Sequence, residues 1–507
     1  MTFSYKRFFS LDPPGRDDFR ADQERILDAL KPLDASMPLS VMRKLYPLVS
    51  DAGYRVTVTL CPGRNGLEVT RVEPGDTTGS LYGLALDIGS TTLEMELVDM
   101  LSGKTVAHSG CVNSQVRFGL NILDRILAVK EDRNNLEQLR CLVAEDIRGL
   151  TDQVCAGAGI SQEEISALIV GGNTTMIHFL LGCDPWLVFQ SPYAPVFFDP
   201  GILSARELDL QLDCNVYCFP AVANYLGGDI TAGLLLTDLD TSETPSIFLD
   251  IGTNGELCLG CKDYLLMGAG AAGPALEGFG SRYGMRAEEG AIRHLTIDKG
   301  GDFHLEVIGG GEPKGICGTG IFDLVAQCYL AGIIRGDGTV NLDDKKHTAL
   351  VWDENLECSV PAVVYDEKHG LYFTQADIQE FIRCKAAAFT MVATLLDHCG
   401  LTPGDLGSIY LAGGFGTHID VESAVTVGIY PDVDRSKLIP LGNTSLAGAK
   451  KLLLDSGCLE RLNAFRDNAT YLHFSEMDKF LENMVAASFI PHTDRSLYPS
   501  VPNPQSP

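Results

Sequence analysis

The chain has 507 residues, and its 67 acidic against 39 basic side chains give a net charge of −28. Such a length exceeds a single hydrophobic core and predicts several domains. The acidic excess argues against nucleic acids and anionic membrane surfaces as partners, because their phosphates would be repelled. The sequence shows no signal peptide and no apolar run of about 20 residues, so a cytoplasmic protein without membrane association is predicted.

The first 80 residues predict a small α/β region in two parts. Residues 1–35, with a helical pattern over 17–30, are interpreted as an N-terminal linker segment. Residues 36–80 are interpreted as a small middle domain, in which 55–60 alternate like a strand. Apolar residues of this second part recur at helical spacing: Leu39, Met42, Leu45 and Val49.

From about residue 81 strands and helices alternate, which predicts an α/β architecture. Strands are predicted at 84–86, 168–170, 247–249, 264–267 and 409–411. Helices are predicted at 122–129, 136–150, 175–181, 322–331, 375–398 and 446–454. We divide this part into subdomain I (81–245), subdomain II (246–490) and a loose, Pro/Ser-rich tail (491–507).

One short motif occurs twice. Residues 85–93 read ALDIGSTTL and residues 248–256 read FLDIGTNGE, so that a strand ends on Asp87 in one copy and on Asp250 in the other. A single copy is typical of an ordinary turn after a strand. Two copies 163 residues apart predict two similar subdomains, each contributing a strand–turn–strand hairpin to a shared cleft.

The residue types in these hairpins suit a metal-bound phosphate chain. Glycine lets backbone N–H groups come close to a phosphate, and hydroxyl groups add further donors. A carboxylate would repel phosphate unless Mg²⁺ lies between them, so Asp87 and Asp250 are predicted as Mg²⁺ ligands acting through its waters and as groups that orient the attacking water. The predicted phosphate donors are Gly89, Ser90, Thr91, Thr92, Gly252, Thr253, Asn254 and Gly255.

Two further glycine clusters favour a nucleotide site. YLAGGFGTHID (410–420) places bare backbone after a strand, where adenosine could lie, and GICGTGIFDLV (315–325) opens a helix. Each cluster alone is typical of a tight turn, whereas the ordered set is not. The predicted nucleotide-binding residues here are Gly318, Thr319, Gly320, Gly413, Gly414, Phe415 and Gly416.

Other polar residues leave alternatives open. Asp229, in GGD, is a candidate catalytic base or metal partner, or else the N-cap of the next helix. Glu256 and Glu277 are weaker candidates, and a structural role is equally compatible with them. A metal or iron–sulfur cluster needs about four ligands, and neither Cys214/Cys218 nor Cys258/Cys261 supplies them alone, so we predict free thiols and no intrinsic iron–sulfur cluster.

The ordered motifs resemble the actin, sugar-kinase and heat-shock ATPase superfamily. That resemblance implies an α/β fold with a duplicated ribonuclease-H-like (actin-like ATPase) domain pair around a nucleotide cleft. Within the superfamily the chain is similar to the reductive activators of corrinoid proteins, from about residue 5 to about 490. The stretches that carry this similarity are LSVMRKLYPL (39–48), GCVNSQVRFGLNILDRI (110–126), GGNTTMIHFLLG (171–182), YLGGDITAG (225–233), AAGPALEG (271–278), GMRAEEGAI (284–292), GICGTG (315–320) and AGGFG (412–416).

The resemblance implies an ATPase that drives Co(II) to Co(I) in a corrinoid methyl-carrier protein. Asp87, Asp250 and Asp229 would be its catalytic carboxylates. Lys385, which matches a lysine of the family, would contact adenine or ribose; the alternative is an exposed surface lysine. Docking of the corrinoid protein should then change ATP turnover.

Two departures from the family pattern matter. No iron–sulfur domain is recognised in the sequence, so a separate ferredoxin-like donor is expected. Asn121 stands where relatives have an acidic residue, which predicts slow turnover if that carboxylate orients water or metal.

The alternatives are a small-molecule kinase of the sugar-kinase type and a non-redox, nucleotide-dependent regulatory or scaffold protein. The sequence leaves both a monomer and a homodimer open.

Overall fold

The chain folds into two units, each assembled from two separate segments of sequence. The first unit comprises Met1–Leu236 and Thr444–Ala469, and the second comprises Thr237–Asn443 and Thr470–Pro507. The computed structural model describes residues 1–278, 280–354, 357–477 and 479–504. The shared cleft predicted from the repeated motif stays a prediction.

The first unit begins with a small α/β module. Its elements are β1 (Tyr5–Ser10), α1 (Asp22–Leu30), β2 (Ala35–Ser36), α2 (Leu39–Asp51), β3 (Arg55–Gly63) and β4 (Gly66–Pro74). The sheet order is β1-β3-β4-β2, with β1 antiparallel to β3. Ile26 and Leu30 of α1 share one buried core with Val56 and Val58 of β3. The predicted division between residues 35 and 36 is therefore corrected, because neither part has a core of its own.

The first unit continues as a six-stranded mixed sheet with helices. Its elements are β5 (Tyr82–Ile88), β6 (Thr92–Asp99), β7 (Lys104–Val112), α3 (Ile122–Glu131), α4 (Asn134–Ala158), β8 (Ile165–Gly172), α5 (Thr174–Leu180), α6 (Trp186–Phe189), β9 (Ile202–Ser204), β10 (Asn215–Cys218) and α7 (Gly228–Leu234). The order is β7-β6-β5-β8-β10-β9. Strand β8 is buried along its whole length between two parallel neighbours, which explains its unbroken apolar run.

The second unit carries another six-stranded sheet and two small three-stranded sheets. Its elements up to residue 443 are β11 (Ser246–Ile251), β12 (Asn254–Cys261), β13 (Tyr264–Ala271), β14 (Ala291–Ile297), β15 (Phe303–Val307), β16 (Gly315–Ile316), α8 (Gly318–Leu330), β17 (Thr348–Asp353), β18 (Cys358–Asp366), β19 (Leu371–Thr374), α9 (Gln375–Cys399), β20 (Ile409–Ala412), α10 (Gly413–His418), α11 (Val421–Val427) and β21 (Leu438–Gly442). The chain then returns to the first unit for α12 (Thr444–Leu454) and α13 (Cys458–Asn468), and it ends with β22 (Ala469–Tyr471) and α14 (Phe480–Ala487). The large sheet has the order β21-β20-β11-β12-β13-β22.

The two large sheets share one topology. In each, three antiparallel strands follow one another (β5–β7 and β11–β13), and the next strand of the sheet pairs parallel to the first of the three. A fifth strand then lies parallel beside the fourth. This order confirms the predicted duplication of a ribonuclease-H-like subdomain.

The predicted secondary structure agrees closely with the observed elements. All five strands predicted after residue 81 lie inside β5, β8, β11, β13 and β20. The six helices predicted there correspond to α3, α4, α5, α8, α9 and α12, and no predicted helix extends more than one residue beyond the observed one. The helix predicted at 17–30 starts later, at Asp22. Across the described residues, no helix combines the length and apolar character that a bilayer crossing requires.

Two predicted boundaries are corrected by long-range packing. Residues 444–469 join the first unit, because α12 packs on that sheet: the side chain of Leu453 fills the space beside Gly83, and Gly448 lies against the carbonyl of Ala232. The predicted loose tail is packed through much of its length. Tyr498 is 1% exposed, and Arg495 donates to the hydroxyl of Tyr329 at 2.7 Å.

Candidate functional site

The first hairpin turns tightly immediately after Asp87. Strand β5 ends at Ile88, the N–H of Gly89 donates to the carbonyl of Thr92 at 2.9 Å, and β6 begins at Thr92. A Cβ atom on Gly89 would lie 2.8 Å from that carbonyl oxygen. Glycine is therefore required at this position, and Asp87 is held at the end of a buried strand as predicted.

The turn is fixed through its carbonyl groups. Asn113 donates its backbone N–H to Thr91 at 2.8 Å and its Nδ2 to Gly89 at 2.9 Å, and Nη2 of Arg125 donates to Ser90 at 2.5 Å. Within the described part of the chain, no protein group accepts from the N–H of Ser90 or Thr91. The role of these two N–H groups as phosphate donors stays a prediction.

Arg125 lies beneath this turn and is fully buried. It also donates from Nε to the carbonyl of Gly119 at 2.9 Å, and no carboxylate in the described ranges lies within ion-pairing distance of its guanidinium. Burial lowers its pKa to about 10. The negative charge of Asp124 opposes this shift in pKa but does not cancel it. Arg125 sits on α3, whose N-cap is Asn121: its Oδ1 accepts from the N–H of Asp124 at 2.8 Å.

The parallel strands of the first unit bring further residues, among them the predicted Asp229, to the same edge of the sheet. Asp87 is the register partner of Gly171 on β8, and Asn173 caps α5 by accepting from the N–H of Met176 at 3.0 Å. Helix α7 follows β10 and starts close to the carbonyl of Gly172. The N-cap of α7 is Gly227, so the N-cap interpretation of Asp229 is wrong. The Oδ1 atom of Asp229 accepts from the N–H of Ile230 at 2.9 Å.

A buried hydroxyl faces this edge. A Cβ on Gly171 would lie 2.2 Å from Oγ of Ser445, at the start of α12. Register partners on neighbouring strands point to the same face of a sheet, so Ser445 lies on the face toward which Asp87 points. Ser445 is 6% exposed, and its Oγ has no protein partner in the described ranges. Such a group costs about 1–3 kcal/mol unless water or a ligand bonds it, which fits a hydrated metal–phosphate site.

The second hairpin places Asp250 beside the predicted adenosine loop. Asp250, the penultimate residue of β11, lies opposite Ala412 of β20, and Gly413 follows Ala412 with φ +73°. A Cβ on Gly413 would lie 3.0 Å from Oδ1 of Asp250, whereas Gly414 has open space around it. Gly416 packs against the carbonyl of Leu411, and the side chain of Phe415 lies outside the described part of the structure. Two motifs far apart in sequence are thus neighbours within the second unit.

The third glycine cluster is packed between backbones. A Cβ on Gly318 would lie 2.3 Å from the carbonyl oxygen of Leu276, and one on Gly320 would lie 2.4 Å from that of Ile292. The hydroxyl of Thr319 donates to the carbonyl of Arg293 at 2.8 Å. Packing therefore explains why these positions are small; a phosphate role for them stays a prediction.

Lys385 is fully buried on α9, so its interpretation as an exposed surface lysine is wrong. Its Nζ donates to the carbonyl of Phe489 at 2.8 Å and to that of Pro491 at 2.5 Å. Burial lowers its pKa to about 7. These bonds join α9 to the C-terminal segment, while the predicted nucleotide contact stays a prediction.

The cysteines are dispersed. Cys258 and Cys261 are both buried on β12, and burial raises the pKa of the Cys258 thiol well above its usual range. Over the described residues, no group of three or more His, Cys, Asp or Glu side chains forms a ready metal cage. A Mg²⁺ ion that keeps most of its waters needs only one or two carboxylates, so the metal role of Asp87 and Asp250 stays a prediction.

Family models cover nearly the whole chain. The RACo linker region matches residues 4–79, the RACo middle region matches 82–242, and the C-terminal domain of RACo, the ASKHA domain, matches 244–502. The chain belongs to the RACo family. This confirms the resemblance to reductive activators of corrinoid proteins drawn from the motifs.

Individual relatives of this RACo-family chain agree with that assignment. The corrinoid activation enzyme RamQ of Eubacterium limosum is 30% identical over 416 residues, which cover 79% of this chain and 69% of the relative. A reductase of the Co(II) methylated amine-specific corrinoid protein from Methanosarcina barkeri is 25% identical over 416 residues, which cover 75% of this chain and 71% of the relative. A solved reductive activator for a corrinoid, iron–sulfur protein superposes with a TM-score of 0.87 at 35% identity, covering 99% of this chain and 81% of that one. These relatives favour the corrinoid interpretation over the kinase alternative.

Sequence reasoning missed four features of the RACo-family site: Asn113, Arg125, Ser445 and the Gly171–Gly172 pair. The glycine pair forms the end of the strand beside Asp87, and Gly413 comes directly after the strand beside Asp250. An alignment of the two halves by strand order could therefore have found the pair. Arg125 carried a weaker signal, as a cation among the apolar residues of a predicted helix. Nothing local to Ser445 points to the site.

Proposed function

We propose that this chain hydrolyses Mg-ATP and uses the free energy to drive a one-electron reduction of Co(II) to Co(I) in a corrinoid protein. One observation carries the proposal. Both units of this RACo-family chain carry an aspartate one residue before the end of the first strand of the same five-strand topology, and a glycine turn follows each strand. The relatives that match most of the chain are named for corrinoid activation or Co(II) reduction.

The residues of each hairpin support defined roles. Asp87 and Asp250 are proposed to accept hydrogen bonds from the waters of Mg²⁺ and to orient the attacking water, with Asp229 as a further candidate base. The N–H groups of Ser90 and Thr91 are proposed to donate to phosphate oxygens. When bound, Mg-ATP supplies the free energy of hydrolysis, and its metal neutralises phosphate charge.

The electron is proposed to come from a separate iron–sulfur protein of the ferredoxin type. Each reduction transfers one electron to cobalt, and such proteins supply single electrons at low potential. A reducing, cytoplasmic location is part of this proposal, because a strongly reducing product and free thiols both suit that compartment.

The ATPase is tested with Asp87→Ala and Asp250→Ala. Each should lower the rate of phosphate release about 100-fold or more, because positioning and charge neutralisation carry phosphoryl transfer. Asp302→Ala is the matched control: this exposed carboxylate pairs with Lys346 and should leave the rate unchanged. Unaltered turnover in both site variants would refute the assigned carboxylates.

The redox step is tested with a Co(II) corrinoid protein, a reduced ferredoxin and ATP. Formation of Co(I), measured by its visible absorption, should require this chain together with those three components. The corrinoid protein should also alter the rate of phosphate release. Failure of the corrinoid protein to bind or to change ATP turnover would overturn the proposal. A phosphorylated metabolite detected by mass spectrometry would instead establish the kinase alternative.

A further inference from the structure

The tip of the second hairpin is bonded to the motif AAGPALEG (271–278) through every polar group of Thr253. Its N–H donates to Oε1 of Glu277 at 3.3 Å, and its Oγ1 donates to Oε2 of the same carboxylate at 2.8 Å. Its carbonyl accepts from the N–H groups of Ala272 at 3.1 Å and Gly273 at 2.8 Å. The motif thus holds the tip of the hairpin in place.

Glu277 uses the donors that the hairpin would offer to a phosphate. A carboxylate that accepts one N–H and one O–H takes the same position relative to the hairpin as two phosphate oxygens would. Gly252 is required beside it, since a Cβ there would lie 2.8 Å from Oε1 of Glu277. The first hairpin is held by different groups, because Asn113 and Arg125 donate to the carbonyls of Gly89 and Ser90.

We propose that Glu277 competes with the phosphate of the nucleotide for Thr253. Binding of the nucleotide then exchanges the carboxylate for phosphate on the N–H and hydroxyl of Thr253. This inference rests on the proposed ATP-dependent function and assigns to it a residue that sets nucleotide affinity. Glu277 acts through Thr253 and is therefore a positioning residue.

The exchange requires only a rotation of the Glu277 side chain. The backbone of Glu277 is fixed against the start of α8, where a Cβ on Gly318 would lie 3.1 Å from Cα of Glu277. Once displaced, the carboxylate stays close to the phosphate and repels it. Mg²⁺ weakens that repulsion, so the competition should be stronger when the metal is removed.

The test measures the affinity of the full chain for ATPγS by calorimetry, with Mg²⁺ and with EDTA. Glu277→Gln keeps the shape of the side chain and removes its charge. It should tighten binding about 5–10-fold with Mg²⁺, and by a larger factor in EDTA. In a Thr253→Val background the same substitution should lose most of its effect, because the contested donor is gone.

The matched control is Glu312→Gln, which also removes one negative charge from the second unit. Glu312 is exposed and pairs with Lys368 rather than with a hairpin, so its variant should bind like the wild type. Glu277→Ala provides a second variant, and thermal melts verify that each variant is folded.

The outcomes separate this inference from the proposed function. Equal or weaker binding by both Glu277 variants, with normal binding by the wild type, would overturn the competition and leave the ATPase proposal intact. Absence of nucleotide binding by the folded wild type would overturn the ATPase proposal itself.

Discussion

Arg125 controls the shape of the first hairpin from beneath. Its guanidinium bonds the carbonyls of Ser90 and Gly119 and is fully buried. Burying a cation without a carboxylate partner is costly, and folded proteins keep such groups where they bind an anion or hold a functional loop. The planar fork of arginine presents five N–H donors in fixed directions, whereas a lysine would offer only a single ammonium on a flexible stem.

Replacing Arg125 should therefore weaken nucleotide binding more than it weakens folding. Arg125→Met keeps most of the volume but removes the charge and both bonds, and the dissociation constant for ATPγS should rise about 10-fold or more. Arg125→Lys should fall between the methionine variant and the wild type, because it restores the charge with one bond. Calorimetry gives the affinities, and thermal melts report folding. If a folded Arg125→Met protein bound ATPγS with normal affinity, the role of Arg125 would be structural only.

The repeated Asp–Gly motif predicts the residues of each hairpin but not the groups that bond to it. Asp87 and Asp250 were predicted because a strand that ends on a carboxylate before glycine is a local pattern. Thr253 was predicted as a phosphate donor for the same reason. The partner that holds its donors, Glu277, comes 24 residues later, and no periodicity links the two. The residues of a turn can be predicted from the local sequence, whereas a distant residue that bonds to the turn cannot.

At the scale of elements, α9 is tied to the C-terminal segment through an amine. A neutral Lys385 still has two N–H groups, enough for the carbonyls of Phe489 and Pro491. Burial therefore favours the neutral form, and the pKa falls to about 7 from the usual 10.5. The helix itself was predicted correctly from its sequence, but the burial of this lysine follows from what packs over it.

This pKa predicts how stability changes with pH. Between about pH 7 and pH 10 the unfolded chain holds a proton on Lys385 that the folded chain has lost, so this group makes stability rise with pH. Below pH 7 both states are protonated and the contribution stays constant. Lys385→Met should remove a slope of roughly 1.4 kcal/mol per pH unit in that window. Thermal melts of both proteins from pH 6 to pH 10 measure the difference, and parallel curves would contradict the prediction.

At the scale of the whole molecule, the C-terminal segment completes the core of the second unit. Tyr498 and Val501 belong to that core, and the Tyr498 hydroxyl donates to the carbonyl of Gly428 at 3.2 Å. The Pro/Ser-rich composition of this segment predicted a loose tail. Composition reports the average polarity of a segment, and two buried side chains among exposed ones are enough to order it.

Removal of the Tyr498 ring should destabilise the second unit. Tyr498→Ala should cost about 3–5 kcal/mol, as for other buried aromatic side chains, and should lower the melting temperature by several degrees. Leu497→Ala is the control, since Leu497 is 44% exposed in the same segment. Similar melting temperatures for the two variants would mean that the segment contributes little to stability.

Local patterns along the chain are sufficient to specify its strands and helices, the duplication of its Asp–Gly hairpins and its family. Side-chain periodicity, turn chemistry and glycine placement each act over a few residues, so they can be interpreted without knowledge of the fold. Long-range packing alone places Ser445 beside Gly171, Arg125 under Ser90 and residues 444–469 in the first unit. Each of these contacts joins residues whose separation in sequence leaves no repeating signal.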